Sequence, residues 1–305
     1  MAMARLFVDA ASQAGLTVEI YGYELSRQCP LAAVATEIVE GPRWTDPDIL
    51  NHLDDTVLRL GIDIIIPFVD GAVAVASGYV AAYPDRHVFT PAAEPRLAEL
   101  MFDKVASAAL FERLGLPIPA TWHPGDTCLR LIAKPRHGSA SKGIVVVNSL
   151  QKLDEIGPLS DYLVQERIDE REEITVDCYV SMRTGQIVGV SPRLRLETAG
   201  GEAVRTITIA CPQAEELARR TLVATGLRGA VTIQLIHDLE TDRYMIMEIN
   251  PRLGGGAVAS VHAGFRLPAA ILADALPEVG FQVGTPTPGV LVTRYFDDVV
   301  FYPND

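Results

Sequence analysis

The chain has 305 residues, 49% of them apolar, and its 39 acidic and 26 basic residues give a net charge of −13. This length suggests roughly two domains, and the apolar share excludes global disorder because it supplies a sizeable core. The acidic balance argues against nucleic acid or an anionic membrane as the main partner, since both attract basic surfaces.

The first hundred residues alternate between helical and strand patterns. Helical spacing of apolar residues is found in Met3–Ala14, Pro47–Leu60 and Ala72–Ala82. Strands are indicated by a β-branched and aromatic run at Thr17–Tyr23 and by a continuous apolar run at Asp63–Val69. Such alternation predicts an open parallel sheet with helices on both faces.

The remainder of the chain is richer in strands. Between residues 118 and 182 the patterns predict a helix at Lys152–Ile156 and short strands at Leu129–Lys134, Gly143–Val147, Tyr162–Glu166 and Ile174–Val180. From residue 183 onward they predict helices at Gln213–Thr225 and Leu267–Ala275, and strands at Gln186–Ser191, Arg205–Ile209, Val231–His237 and Tyr244–Ile249. This part of the chain is therefore expected to be α+β.

Several features bear on cellular location. No uncharged run reaches the ~18 apolar residues that a membrane span needs, and the N-terminus lacks the long apolar core of a signal peptide. The cysteines, which form no CxxC pair, are Cys29, Cys128, Cys178 and Cys211. Scattered cysteines favour free thiols in a reducing compartment over a disulfide frame or a zinc site, so we expect a cytoplasmic protein.

A loop of glycine, serine and alanine separates two lysines in the segment Lys134–Gly143. Small residues let backbone N–H groups approach phosphate oxygens closely, and the lysines neutralise phosphate charge. The loop is not a Walker loop, because the GxxxxGK[ST] pattern is missing and no helix follows. Taken alone, the pattern is equally consistent with an ordinary flexible hairpin loop.

Polar side chains follow the apolar strand Tyr244–Met247. Strand alternation places Glu248 and Asn250 on the same face, about 6–7 Å apart, and Gln234 in the preceding strand of a predicted hairpin is able to reach that face. Carboxylate and amide oxygens suit Mg²⁺, and Arg252 would then face the phosphates that the metal bridges. The alternative is a solvated edge strand with ordinary polar residues.

Two further acidic residues flank a turn, because Glu166 ends one strand and Glu173 opens the next. Taken alone they favour a solvated turn over a binding site. The histidines His123, His137, His237 and His262 have no metal-ligand spacing. No Ser/His/Asp or Cys/His arrangement for nucleophilic catalysis is visible either.

Taken in series, these segments resemble the ATP-grasp superfamily of carboxylate ligases. The resemblance is closest to the branch with the ATP-binding halves of the carbamoyl-phosphate synthetase large subunit and the pyrrolysine-biosynthesis ligase. It covers nearly the whole chain and rests on IIIPFVD (64–70), MFDKVASAALFERLGLPIPAT (101–121), AKPRHGSASKG (133–143), VQERI (164–168), EITVD (173–177), PRLRLETAGGEAVRTITI (192–209) and IQLIHDLETDRYMIMEINPRLGGG (233–256).

The resemblance implies an ATP-grasp fold, in which two α+β subdomains clasp ATP after a small parallel α/β domain. The implied limits are 1–95 for the preceding domain, 96–182 for the subdomain with the lid loop, and 183–305 for the subdomain with the metal site. Family members usually open with a strand and a glycine-rich turn, whereas this sequence begins at about the first helix. The implied preceding domain is therefore N-terminally shortened.

The resemblance also implies which residues bind the nucleotide. Lys104 and Lys134 are similar to the two lysines that hold the ATP phosphates. The loop that folds over the phosphates would include Gly138, Ser139, Ala140 and Gly143. Glu166 and the backbone around Ile168 match the hinge that reads the adenine edge, and Glu173 matches the carboxylate that takes the ribose hydroxyls.

The remaining implied roles concern metal and catalysis. The ligands of two Mg²⁺ ions, with Mn²⁺ as an alternative ion, would be Gln234, Glu248 and Asn250. The residues assigned to catalysis are Arg252 on the phosphate side, Lys142 and Arg193. Basic residues that the branch often places near the carboxylate substrate match Arg193, Arg195 and Arg205.

The implied function is an ATP-dependent ligase that activates an amino acid or small acid as an acylphosphate for attack by an amine, releasing ADP and phosphate. Its partners would be small-molecule carboxylate and amine substrates, and a homodimer is a further expectation. One alternative is a catalytically inactive nucleotide-binding protein that acts as a regulator or scaffold. Another is phosphate transfer to a stable acceptor without ligation.

Overall fold

The computed structural model describes residues 1–127, 130–138, 142–200, 202–295 and 297–302; the predicted loop residues Ser139 and Ala140 lie outside these ranges. The helices are α1 Ala2–Gln13, α2 Ile49–Leu60, α3 Asp70–Ala82, α4 Pro95–Phe102, α5 Lys104–Arg113, α6 Leu150–Glu155, α7 Pro212–Thr225, α8 Val258–His262 and α9 Leu267–Ala275. The strands are β1 Tyr21–Glu24, β2 Glu37–Glu40, β3 Leu131–Pro135, β4 Val145–Val147, β5 Tyr162–Glu166, β6 Arg171–Val180, β7 Ile187–Ala199, β8 Glu202–Thr208, β9 Gly229–Asp238, β10 Arg243–Asn250 and β11 Leu291–Thr293.

The N-terminal part is a small parallel arrangement covered by helices on both sides, as predicted. Strands β1 and β2 pair in parallel, and Ile64 forms an isolated parallel bridge with Phe89. The predicted strand Asp63–Val69 is thus reduced to a single bridge. Because successive residues of an extended segment face opposite sides, Ile64 packs in the cluster with α1 while Ile65 packs in the cluster with α2 and α3.

The middle of the chain forms an antiparallel sheet in the order β4-β3-β5. Its core consists of Leu131, Ala133, Val147 and Val164, against which α6 packs Leu153. Helix α6 begins after Ser149, whose hydroxyl accepts a hydrogen bond of 3.1 Å from the backbone N–H of Lys152 and so caps the first turn.

Within the described ranges the largest sheet has six strands in the order β10-β9-β6-β7-β8-β11. One face is apolar, and α7 packs Leu217 and Leu222 there in one cluster with Val176 and Ile233. The other face carries polar side chains and is considered in the next section. The predicted limit between residues 182 and 183 falls between the paired strands β6 and β7. The three domain ranges stay a prediction.

Helices α8 and α9 pack against α1 through buried apolar side chains, among them Phe265 and Ile271. In the described ranges no single helix is long and apolar enough to cross a membrane. One helix pair, Gly255–His262 with Leu267–Ala275, meets the length and hydropathy criterion together but is bent by 96°.

Candidate functional site

The polar face of the six-stranded sheet gathers part of the predicted site, including the three predicted metal ligands. Alternate residues of a strand share one face, so Glu173, Thr175 and Asp177 of β6 lie together while Ile174, Val176 and Cys178 enter the apolar core. The neighbouring register places Gln234 of β9 opposite Thr175 on one side and opposite Glu248 of β10 on the other. The sheet therefore presents one continuous polar surface.

The three predicted metal ligands meet at one carboxylate oxygen. Gln234 Nε2 donates to Glu248 Oε1 at 2.6 Å, and Asn250 Nδ2 donates to the same oxygen at 3.1 Å. A register shift between Ile246 and Glu248 makes Met247 an extra residue in β10. This bulge brings Glu248 rather than Met247 opposite Gln234, which strand alternation alone does not reveal.

The donor chemistry of this cluster fits Mg²⁺, because carboxylate and amide oxygens are the hard ligands that this ion prefers. Across the ranges that the structure describes, no group of three or more His, Cys, Asp and Glu side chains is placed to hold a metal ion. The cluster instead combines the carboxylate of Glu248 with the amides of Gln234 and Asn250. Its negative charge is therefore low for a site of divalent cations.

Lys134 of β3 is a buried ammonium group beside this cluster. Its Nζ donates to Gln165 Oε1 at 3.0 Å, and Gln165 Nε2 in turn donates to the carbonyl of Pro119 at 3.0 Å. Burial lowers the pKa of Lys134 to about 8, while the Glu248 carboxylate opposes the lowering and the Lys104 ammonium adds to it. Glu248 and Lys104 therefore both lie within electrostatic reach of Lys134.

Lys104 is the first residue of α5 and contacts the start of the glycine-rich loop. The helix is capped by Asp103, which accepts from two backbone N–H groups of the first turn and is paired with Arg136 at 2.7 Å. Lys104 Nζ donates to the carbonyl of Gly138 at 2.6 Å, and its backbone N–H donates to the carbonyl of Arg136 at 3.0 Å. The lysine is therefore held at the edge of the loop.

Two glycines shape the ends of this loop. Gly138 has a backbone φ of 126° and Gly143 a φ of 75°, values that residues with a side chain rarely adopt. A Cβ at position 143 would also lie 2.9 Å from Pro135 Cγ. Lys142 is exposed to solvent.

The predicted adenine hinge lies where β5 ends. Glu166 accepts at Oε1 from the backbone N–H of Ala120 at 3.0 Å and is paired with Arg243 at 3.3 Å. The carbonyl of Ile168 accepts from Arg171 Nη1 at 2.7 Å. The apolar cluster around Ile168 contains Ile236, Met245 and Met247.

Arg195 lies between two of the predicted ligand-binding groups. Its Nη1 donates to Glu173 Oε2 at 3.2 Å and to Gln234 Oε1 at 3.0 Å. A second arginine, Arg171, approaches the other oxygen of Glu173 at 3.4 Å. The resemblance groups Arg195 with the substrate side, whereas its contacts join Glu173, the predicted ribose carboxylate, to Gln234, a predicted metal ligand.

Arg193 is buried, with 3% of its side chain exposed, and forms an ion pair with Asp177 at 2.8 Å. Ser260 of α8 donates to the same carboxylate at 2.6 Å. Gly256 packs so closely that an added Cβ would lie 2.5 Å from Arg193 Nη1. Asp177 ends the motif EITVD, but the sequence gives no signal that it pairs with Arg193, because a buried aspartate resembles any other polar residue of a strand.

Arg252 joins the end of β10 to the N-terminal part of the chain. Its Nε donates to Asp70 Oδ1, and Asp70 is the first residue of α3. The carbonyl of Arg252 accepts from Thr232 Oγ1 at 3.0 Å. Asp70 closes the segment IIIPFVD, but only the fold shows that this segment reaches Arg252.

A family model described as an ATP-grasp domain matches residues 101–256, just over half of the chain. The fold is similar to that of biotin carboxylase from Campylobacter jejuni in complex with β-γ-ATP, with 15% identity, a TM-score of 0.72, and coverage of 90% of this chain and 69% of that chain. A second similar fold is the biotin carboxylase domain dimer of the Hydrogenobacter thermophilus 2-oxoglutarate carboxylase, solved with MgADP, ADP and bicarbonate. It shows 16% identity, a TM-score of 0.69, and coverage of 92% of this chain and 70% of that chain.

A third similar fold is N5-carboxyaminoimidazole synthetase from Staphylococcus aureus, with 15% identity, a TM-score of 0.70, and coverage of 94% of this chain and 77% of that chain. At such identities these matches show the fold alone. A search of curated proteins finds no match to the sequence.

Proposed function

The chain belongs to the ATP-grasp family, and we propose that it activates a small-molecule carboxylate as an acylphosphate, which an amine then attacks to form an amide. The observation that carries this proposal is the meeting of Gln234, Glu248 and Asn250 at one oxygen, within electrostatic reach of Lys134. Oxygen ligands next to fixed ammonium groups are what a metal-bound polyphosphate needs.

The charges of the site suit phosphoryl transfer to a carboxylate. A carboxylate that attacks the γ-phosphate brings two anions together, so the protein must neutralise charge and hold the reactants in line. Lys104, Lys134 and Arg252 supply positive charge for this purpose. Mg²⁺ held by Glu248, Asn250 and Gln234 would add charge neutralisation on the phosphates, and Mn²⁺ is the alternative ion.

We place the base and ribose at the opposite end of the polar face. The apolar cluster of Ile168, Ile236, Met245 and Met247 offers a surface for a purine ring next to the backbone at Ile168. The neighbouring Glu173 carboxylate accepts hydrogen bonds from arginines and would accept them from ribose hydroxyls. Glu166 is proposed as the adjoining hinge residue.

The segment Gly138–Gly143 is proposed as a lid over the phosphates, with Lys142 as a catalytic residue that it carries. Exclusion of water protects an acylphosphate from hydrolysis. Arg193 is proposed to act on the substrate side, next to Gly256. The biotin carboxylase neighbours were solved with β-γ-ATP, MgADP or bicarbonate, which supports ATP and Mg²⁺ as the cofactors.

The setting of the reaction is also part of the proposal. Cys29, Cys178 and Cys211 are unpaired among the cysteines that the structure describes, which supports a reducing cytoplasm. A homodimer stays a prediction, and a measurement of the molecular mass in solution tests it. Small-molecule substrates and the lack of a nucleic-acid partner are predictions as well.

The test is an ADP-release assay with ATP, Mg²⁺ and a panel of amino acids and small acids, each with and without an added amine. We expect release that depends on one acid, with an amide product found by mass spectrometry. Release in Glu248→Ala should fall to background while its circular dichroism spectrum is unchanged. Full activity of that variant would remove the metal assignment.

The same assay separates the two alternatives. ADP binding without release over the whole panel would indicate a nucleotide-binding regulator or scaffold. A stable phosphorylated product without an amide would indicate phosphate transfer alone.

A further inference from the structure

The amide of Gln234 is confined between two groups of opposite hydrogen-bonding character. On one side, 2.6 Å away, lies the Glu248 carboxylate, which only accepts hydrogen bonds when ionised. On the other side, 3.0 Å away, lies the guanidinium of Arg195, which only donates. The amide therefore has one consistent orientation, with its nitrogen toward Glu248 and its oxygen toward Arg195.

This orientation keeps the Gln234 oxygen away from a cation bound at Glu248. To become a ligand beside that carboxylate, the amide must turn its oxygen toward Glu248. The turn would bring the amide N–H groups against the N–H groups of Arg195, and two donors repel each other. Arg195 does not swing away easily, because it is also paired with Glu173 at 3.2 Å and its side chain is 13% exposed.

We propose that Arg195 is a positioning residue that holds Gln234 in a non-liganding orientation. The divalent-cation site at Glu248 then gains its Gln234 ligand only when Arg195 transfers its hydrogen bond to another acceptor, such as a phosphate oxygen of a bound nucleotide. The nucleotide part of this inference rests on the proposed function, whereas the effect of Arg195 on Gln234 does not. Cation binding thus becomes dependent on nucleotide.

The experiment measures Mn²⁺ binding without nucleotide by the 305-residue chain. The readout is the electron paramagnetic resonance signal of unbound Mn²⁺. The variants are Arg195→Met, Gln234→Met and the double variant that carries both substitutions. Arg171→Met is the matched control, because it removes the same charge beside Glu173 and no contact of Arg171 with Gln234 is present in the described ranges. Circular dichroism and thermal unfolding verify that each variant is folded.

We expect Arg195→Met to bind Mn²⁺ about fivefold more tightly than the wild type, the effect of one hydrogen bond. The gain should vanish in the double variant, because it requires the Gln234 oxygen, and Gln234→Met alone should bind Mn²⁺ like the wild type. Saturating ADP should tighten Mn²⁺ binding by the wild type more than by Arg195→Met.

Several results would overturn the inference. One is that Arg195→Met binds Mn²⁺ no more tightly than the wild type. The others are an equal increase in Mn²⁺ affinity in Arg171→Met, or an increase that persists in the double variant. Either of these last two results would indicate simple removal of charge. Absence of Mn²⁺ binding by every variant also overturns it. The ADP-release assay tests the proposed ligase function separately. Failure of the inference about Arg195 is therefore distinguishable from failure of the proposed function.

Discussion

Burial sets the protonation of Lys134. A charged ammonium is costly to bury, so its pKa of about 8 lies below the usual value of 10.5. Between these two values the unfolded chain binds more protons than the folded chain, and the contribution of Lys134 to the free energy of unfolding therefore increases with pH in this window. Below about pH 8 the folded protein carries the full cost of the buried charge.

This pKa predicts a pH dependence of nucleotide binding. We expect ADP affinity to fall as the pH rises through about 8, because a neutral Lys134 no longer attracts phosphate, and we expect ADP binding above that pH to take up protons. Calorimetry in buffers of different ionisation enthalpy measures both quantities. Lys134→Met should lose this dependence, and the exposed Lys152→Met should keep it; the same pH profile in Lys134→Met would refute the assignment.

The buried pair of Arg193 and Asp177 predicts a large effect on stability. Asp177→Ala leaves an uncompensated buried guanidinium, so we expect the free energy of unfolding to fall by about 3–5 kcal/mol. Urea denaturation measures it. Glu37→Ala, which breaks an exposed pair with Arg59, should have little effect. Equal effects of the two substitutions would show that Asp177 does not hold Arg193.

At the scale of elements, the hairpin of β9 and β10 shows which structural features residue alternation predicts and which it does not. Alternation correctly places Glu248 and Asn250 on one face, since the period of a strand is a local property. The bulge at Met247 is not local, because it depends on how the two strands pair. The sequence therefore predicts which residues share a face but not which residue stands opposite Gln234.

Glycine substitutions test the packing of Gly256 against Arg193 of the sheet. Gly256→Ala would bring a Cβ to 2.5 Å from Arg193 Nη1, so we expect the free energy of unfolding to fall by about 1–3 kcal/mol. Gly78→Ala, inside α3 with open space around it, should raise it by about 0.5–1 kcal/mol. Urea denaturation of both variants is the measurement. A Gly256→Ala variant as stable as the wild type would contradict the close contact.

For two elements the predicted bounds are the observed ones. Helix α9 is predicted at Leu267–Ala275, as observed, and the strand predicted at Tyr162–Glu166 is also found without change. The short strand β2 has too few residues to show a period. The apolar run Asp63–Val69 forms only one bridge, because composition favours an extended chain but does not provide its partners.

At the scale of the whole molecule, the order of the segments predicts the family, whereas their contacts appear only in the fold. Asp70 and Arg252 are 182 residues apart in sequence and form an ion pair. No local pattern connects residues at such a separation. The same holds for Arg195, whose neighbours Glu173 and Gln234 lie on two other strands.

The contact between Asp70 and Arg252 predicts a functional effect larger than its effect on stability. Asp70→Asn should lower ATP turnover about tenfold, because Arg252 loses the partner that positions it. The free energy of unfolding should change by less than about 1 kcal/mol, since the pair is partly exposed. Steady-state kinetics and urea denaturation measure the two effects. Unchanged turnover would contradict the role, and the exposed Asp85→Asn is the control.

The most direct test is a calorimetric titration with ADP, with and without Mg²⁺, in the wild type and in Glu248→Gln. If Glu248 holds the cation beside the phosphates that Lys134 attracts, Mg²⁺ should raise the ADP affinity of the wild type by at least about tenfold, the effect of a charged contact. The increase should be lost in Glu248→Gln while binding without Mg²⁺ persists. An equal effect of Mg²⁺ in both proteins, or no ADP binding by the wild type, would contradict the account.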